Sequence, residues 1–109
     1  MEVKIMAVEH LNDSNFAEKI KSGVVLVDFF ATWCGPCKML TPTVEEIGAD
    51  SDGSYAVYKV DIDECGDIAM DFGIMSVPTM IVFKDGAEAD RMIGVQPKTA
   101  ILDAIAKAK

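Results

Sequence analysis

Cysteine is scarce in this chain of 109 residues. There are three, Cys34, Cys37 and Cys65, alongside a single histidine, His10. A structural zinc site takes four ligands, commonly as two pairs at metal-type spacing, so one CxxC without a second excludes that use of the pair. Positive charge is also short. Ten Lys and Arg stand against eighteen Asp and Glu, a net charge of -8, which repels phosphate backbones and anionic lipid and leaves nucleic acid and membrane surfaces as poor partners. No apolar run approaches the roughly 20 residues that cross a bilayer; "GVVLV" is far too short. Near the N-terminus, Lys4, Glu9 and His10 interrupt the apolar residues, and no basic start, continuous apolar middle and small-residue cleavage site mark a secretory signal. We therefore expect a cytoplasmic protein, where thiols are kept reduced and a persistent structural disulfide is out of place. A glycine-rich nucleotide motif, internal repeats and low-complexity tracts are absent too.

What is present suits one compact domain over residues 1–109, with 50% hydrophobic and 26% charged residues. "VKIMAV" reads as a first strand. "DSNFAEKIKSG" reads as a helix with Asp13 as N-cap, Phe16 and Ile20 on one face and Gly23 at its end. "VVLVDFFA" is a near-continuous β-branched and aromatic run, as expected of a central strand covered on both faces. From Cys34 to about Asp50, Met39, Leu40, Val44 and Ile47 recur at helical spacing, with Pro42 inside the helix. "YAVYKVDID" is the next strand and "GDIAMDFG" a short helix closed by Gly73. "TMIVFKDGAEADRMIG" predicts two strands joined by a tight turn at Asp85-Gly86. "PKTAILDAIAKAK" closes the chain as a helix begun by Pro97, with Ala100, Ile101, Ala104 and Ile105 inward. The order βαβαβαββα implies an α/β fold. Its mixed sheet of about five strands is part parallel and part antiparallel, with four helices over both faces.

Within that frame the pair Cys34 and Cys37 is either a staple or a redox couple. As a staple it is weak: closing a four-residue loop is worth roughly 2 kcal/mol, against about 3 for fifteen residues, before any strain is subtracted. The redox reading uses the geometry. If Cys34 begins the helix after the central strand, Cys37 lies one turn on. Cβ atoms at that spacing are about 5 to 6 Å apart, whereas a disulfide wants about 3.5 to 4.5 Å. The bond closes only with local tightening, which favours reversibility. Cys34 then sits where unpaired N–H groups and the positive helix end stabilise a thiolate, and Cys37 is tucked further into the turn. The first attacks and the second resolves. Pro36 is tolerated in a first helical turn, and Gly35 is expected to let the backbone tighten without a side-chain clash.

These residues resemble the thioredoxin family. "WCGPCK" at Trp33 to Lys38 is similar to its active-site signature. "VDFFA" before it, Pro42, "KVDID" at Lys59 to Asp63, "FGIMSVPT" at Phe72 to Thr79, "FKDG" at Phe83 to Gly86, and Ile93-Gly94 follow in the family's order. The resemblance covers nearly the whole chain. It implies a thioredoxin fold and a general protein disulfide reductase working through a Cys34–Cys37 disulfide, with no bound cofactor. Carried over residue by residue, it makes Pro78 a cis-proline facing the thiols. The backbone of Ser76 and Val77, with Trp33, Ile93 and Gly94, would form a shallow apolar groove for an extended substrate segment. It also implies disulfide-containing protein substrates and a thioredoxin reductase as recycling partner. We expect a monomer. Phe30 departs from the pattern, standing where many members carry a second tryptophan; Thr32 is at a variable place, and Cys65 is outside the motif.

Asp28 inside the central run is, from local pattern, as readily a residue at a strand end or on an exposed face as a buried acid with raised pKa; at the matching family position the resemblance makes it the acceptor of the Cys37 proton, through water. Lys59, on the strand expected beside it, is either its counter-charge or a solvated strand residue. Lys38 is a surface charge or a thiolate neighbour. Met75, by the proline loop, is placed to touch substrate. Cys65 reads as a small residue near a helix start, and His10 as a surface side chain. Two rival functions remain at this stage: a redox-capable binding or scaffold subunit, and an oxidase or isomerase, the latter disfavoured by Gly35-Pro36.

Overall fold

The computed structural model describes residues 8–109. Most of the strand expected from Val3 to Val8 therefore lies outside the described residues, and the first strand within them is β1, Glu9–His10. It is followed by α1 (Phe16–Ile20), β2 (Val24–Phe30), α2 (Gly35–Ala49), β3 (Ala56–Asp61), α3 (Gly66–Asp71), β4 (Thr79–Lys84), β5 (Ala87–Ile93) and α4 (Lys98–Ala108). The sheet order is β1-β3-β2-β4-β5, parallel from β1 through β3 to β2 and antiparallel from β2 through β4 to β5. All seven residues of β2 are buried, as its unbroken apolar run requires of a strand covered on both faces.

Because side chains alternate along a strand, β2 divides the interior in two. Val24 and Leu26 pack with Leu40, Val44 and Ile47 of α2, Met80 and Val82 of β4, and Ile101 and Ile105 of α4. Val25, Val27 and Phe29 pack on the opposite face with Phe16, Ile20, Ile68, Ile81 and Phe83. Helix α2 sits close to the sheet at Gly48, where a Cβ would meet Val8 Cγ2 at 3.2 Å; a side chain there would push the helix outward.

The turn at Asp85 and Gly86 takes positive φ at both residues, 51° and 87°, the pair of values that a tight two-residue hairpin demands. Asp85 also ties the turn to the end of α1, its carboxylate accepting the Gly23 N–H at 2.8 Å. The expected Asp13 cap is not formed. Asn15 occupies the N-cap position of α1, and Asn12 Oδ1 accepts the N–H groups of Ser14 and Asn15. Ala100 is half-buried rather than inward like Ile101, Ala104 and Ile105. In β5 the register slips between Val82 and Phe83: Asp90 opposes Val82 whereas Glu88 opposes Phe83, leaving Ala89 as the extra residue. Among the described residues no helix is long and apolar enough to cross a membrane.

Candidate active site

The chain leaves β2 at Phe30, turns through Ala31 to Trp33, and enters α2 with Cys34 at the N-cap in extended geometry, φ -90° and ψ 113°. In that position its Sγ accepts the Cys37 N–H at 3.1 Å, one of the donors that a first helical turn leaves unpaired. Cys34 and Cys37 form a disulfide with their Cα atoms 5.3 Å apart. Residue exposure does not separate them, 4% against 3%. Their neighbours do: Cys34 Sγ lies 3.7 Å from the carbonyl oxygen of Val77, whereas Cys37 is one turn into α2, its carbonyl accepting from Thr41 Oγ1 at 3.0 Å. The expected reason for Gly35 does not hold. A Cβ there would meet nothing within 4 Å, and its φ lies outside the left-handed region; the absent side chain instead leaves open the surface beside the disulfide.

Asp28 is in mid-strand, not at a strand end, and is fully buried with no hydrogen-bond partner for either carboxylate oxygen. By alternation it faces α2. Burial raises its carboxyl to about 6, with the charge of Lys59 pulling the other way. Lys59 stands directly opposite it in the parallel β2–β3 register and is itself buried, not solvated. Its ammonium donates to Thr41 Oγ1 at 3.3 Å and lies 4.6 Å over the Phe30 ring. The phenylalanine at this departure from the family pattern thus supplies a face for the cation.

Around the disulfide the surface is apolar. Trp33 is 68% and Met75 94% exposed, and Ile93 and Val95 are exposed as well. The Val77–Pro78 bond is cis, Pro78 is buried, and its carbonyl accepts the Gly94 N–H at 2.8 Å, bringing the Ile93-Gly94 segment to the loop that carries Met75 and Ser76. Thr79 Oγ1 donates to the Ser76 carbonyl at 2.8 Å from the other side. Trp33 Nε1 donates to Asp63 Oδ2 at 2.9 Å, fixing the exposed indole to the segment after β3. Sequence reasoning missed Asp63 and Thr41. Asp63 was visible only as the acidic end of "KVDID"; Thr41 had a clearer signal, lying four residues after Cys37 on the same helix face.

The remaining candidates stand apart. Cys65 is buried at the start of α3, its thiol donating to the Leu11 carbonyl at 3.5 Å, and burial pushes it up. His10 is exposed with its ring edge against Phe30, and Lys38 is exposed on α2. Among the described residues no three His, Cys, Asp or Glu side chains converge as metal ligands would.

The Cys34–Cys37 disulfide thus lies at the start of α2 beside the cis-proline loop, and comparison with known proteins shows the family. The thioredoxin family model matches residues 7–107. The chain belongs to the thioredoxin family. It is 51% identical to the thioredoxin of Staphylococcus haemolyticus over 102 residues, covering 94% of this chain and 98% of that one. The Staphylococcus aureus thioredoxin is 47% identical over the same length and coverage. Among solved structures, a mutant thioredoxin from Halobacterium salinarum superposes with a TM-score of 0.83 at 34% identity, covering 93% of this chain and 88% of that one. The thioredoxin of Malassezia sympodialis gives 0.83 at 36%, covering 99% and 96%. As a thioredoxin-family thiol–disulfide oxidoreductase, the chain is a protein disulfide reductase whose redox group is its own Cys34–Cys37 disulfide. Its partners are, in general, disulfide-bearing proteins and a reductase that regenerates the dithiol. The scaffold reading is not favoured.

Proposed function

We propose that Cys34 is the attacking thiol and Cys37 the resolving thiol. In the reduced protein the Cys34 thiolate displaces one sulfur of a substrate disulfide, forming a mixed disulfide and releasing one substrate thiolate, which takes up a proton. Cys37 then gives its proton to Asp28, attacks Cys34 Sγ and releases the second substrate sulfur as a thiolate, which takes up a proton in turn, so that two electrons pass to the substrate and the protein disulfide forms. The observation that carries this reading is the position of Cys34 at the helix N-cap, its sulfur accepting the Cys37 N–H, where a thiolate is stabilised in the reduced state. Asp28, raised to about 6 and without a hydrogen-bond partner, has the basicity of a proton acceptor near neutral pH. Lys59 is its counter-charge.

The substrate segment lies in an extended conformation against Ser76, Val77 and Pro78, flanked by Trp33, Met75, Ile93 and Gly94. Gly35 and Pro36 keep the approach to Cys34 open. The protein works as a single-domain monomer in the cytoplasm, and a thioredoxin reductase returns the two electrons. Cys37→Ser tests the assignment. Incubated with native extract it accumulates mixed disulfides on Cys34, identified by mass spectrometry with substrates and reductase together; adducts on Cys65 would overturn the roles. Asp28→Asn slows turnover on the order of 10²-fold with substrate binding unchanged, as loss of a general base does; an unchanged rate removes Asp28 from the mechanism.

A further inference from the structure

The buried pair beneath the disulfide has an unexpected geometry. Lys59 and Asp28 are opposite one another on adjacent strands, and a lysine stem is long enough to span the ~4.8 Å between strands. Yet neither carboxylate oxygen has a hydrogen-bond partner, and the ammonium is bonded elsewhere, to Thr41. The Thr41 hydroxyl has one proton, which goes to the Cys37 carbonyl at 3.0 Å. Its lone pairs therefore face Lys59, and the hydroxyl is locked as donor on one side and acceptor on the other. A buried cation without an acceptor is costly, as is a buried carboxylate without a donor. Left to themselves the two would pair. The Phe30 ring holds the ammonium from a second direction, at 4.6 Å; opposite Asp28 on β4 stands the apolar Met80, and the core on the same face of the sheet includes Leu40 and Val44 of α2.

We propose that Thr41 is a positioning residue, whose hydroxyl bridges the Lys59 ammonium to the Cys37 carbonyl and so holds the lysine off Asp28, leaving the carboxyl free to take a proton. The inference rests on the reading of Asp28 as the acceptor of the Cys37 proton. Thr41 contributes position, not chemistry: it sets which acceptor the lysine uses, and ties that choice to the backbone of the resolving cysteine. With the hydroxyl gone, Lys59 has one unpartnered acceptor across the strand gap. It donates to Asp28 and holds the carboxyl in its ionised form, a weaker base for Cys37.

The test compares Thr41→Val, which keeps the shape and removes the hydroxyl, with Thr41→Ser, which restores it. The Asp28 side-chain carboxyl is titrated by ¹³C NMR in the oxidised protein, and turnover of insulin disulfides is followed from pH 5 to 9. In Thr41→Val the Asp28 titration falls by on the order of one unit, as a newly paired carboxylate does. The acid limb of the turnover profile moves down with it, and the limiting rate drops several-fold at constant KM; Thr41→Ser behaves as the parent. An Asp28 titration unmoved in Thr41→Val, with Lys59 still held by Phe30, overturns the proposal, as does an equal shift in Thr41→Ser. These outcomes are separate from failure of the underlying reading, which shows as an unchanged rate in Asp28→Asn while the Thr41→Val titration still moves.

Discussion

The two faces of β2 are built from one run of seven residues and end as different materials. On the α1 and α3 side, Val25, Val27 and Phe29 meet a purely apolar interior in which Phe16, Phe29, Phe72 and Phe83 pack edge to face and tilted at centroid distances of 5.4 to 6.4 Å. On the α2 and α4 side, Leu26 is followed by Asp28, and the buried carboxyl and Lys59 interrupt the apolar packing beneath the helix that carries the cysteines. Both faces exclude water equally well. Only one holds charge, and it is the face under the disulfide. A buried charge that receives no hydrogen bond weakens the fold, and this one lies on the face covered by the helix that carries the cysteines. On the proposed reading of Asp28 as proton acceptor, the apolar face holds the protein together and the polar one gives up stability for chemistry.

Adjacent residues of β2 should therefore respond to truncation with opposite sign. Phe29→Ala removes a fully buried ring from the apolar face and is expected to destabilise by about 3–5 kcal/mol, measured by urea denaturation of the oxidised protein. Asp28→Ala is expected to stabilise. Its carboxyl, 3.8 in the unfolded chain and about 6 when folded, stays protonated in the native state between those values while the unfolded chain ionises. The contribution of this one group is thus most favourable below about pH 4, falls as pH rises to 6 and stays reduced above it, by ~3 kcal/mol for a shift of this size. Relieving that penalty, less the packing lost, gives a net gain of about 1–3 kcal/mol at pH 7 that fades below pH 4. A loss at pH 7, or a gain independent of pH, would show that the two faces do not differ in the way described.

Lys59→Met sharpens the comparison by a smaller step. The charge of Lys59 is what holds the Asp28 carboxyl down against burial, so its removal moves that titration further up, on the order of one unit. The acid limb of the turnover profile follows. Turnover measured from pH 5 to 9 checks this; a limb that stays in place would mean that the lysine and the carboxyl are not coupled.

Which parts of this arrangement were legible in the sequence follows from how local their causes are. The β2 run, the Asp85-Gly86 turn and the CxxC pair each carry their chemistry within a few residues, and each forms where expected. Asp13 misled because Asn12, Asp13 and Asn15 are all good caps by type, and only the bonds of Asn12 to Ser14 and Asn15 decide between them. Lys59 was ambiguous because alternation in "YAVYKV" gives its face but not whether α2 covers it. Thr41, Phe30 and Lys59 come together from a helix and two strands, and nothing in their spacing announces the contact. Asp63 reaches Trp33 across thirty residues in the same manner.

The bulge at Ala89 is the least visible feature, and it creates the polar contact at the rim of the apolar face. Three residues apart on a regular strand, Glu88 and Arg91 would point to opposite faces. The extra residue sets them opposite Phe83 and Ile81, both on the α1 and α3 side. There the guanidinium grips Glu88 through Nε and Nη2 at 2.8 and 2.9 Å and donates from Nη2 to the Phe72 carbonyl at 2.8 Å. That carbonyl belongs to the residue capping α3, where a cation is favoured. Unlike Asp28 and Lys59, this pair is partly solvated and its hydrogen bonds are made, so it supports the fold weakly. Arg91→Met should cost about 1 kcal/mol at neutral pH. The pairing holds the Glu88 carboxyl below its ordinary value, so that contribution is present above the ordinary carboxylate range and is lost as pH falls through it. Denaturation of Arg91→Met and the parent at pH 7 and pH 3 measures both: a difference undiminished at pH 3 would mean that the arginine acts through its bond to the Phe72 carbonyl and the packing of its stem, not through the fork to Glu88.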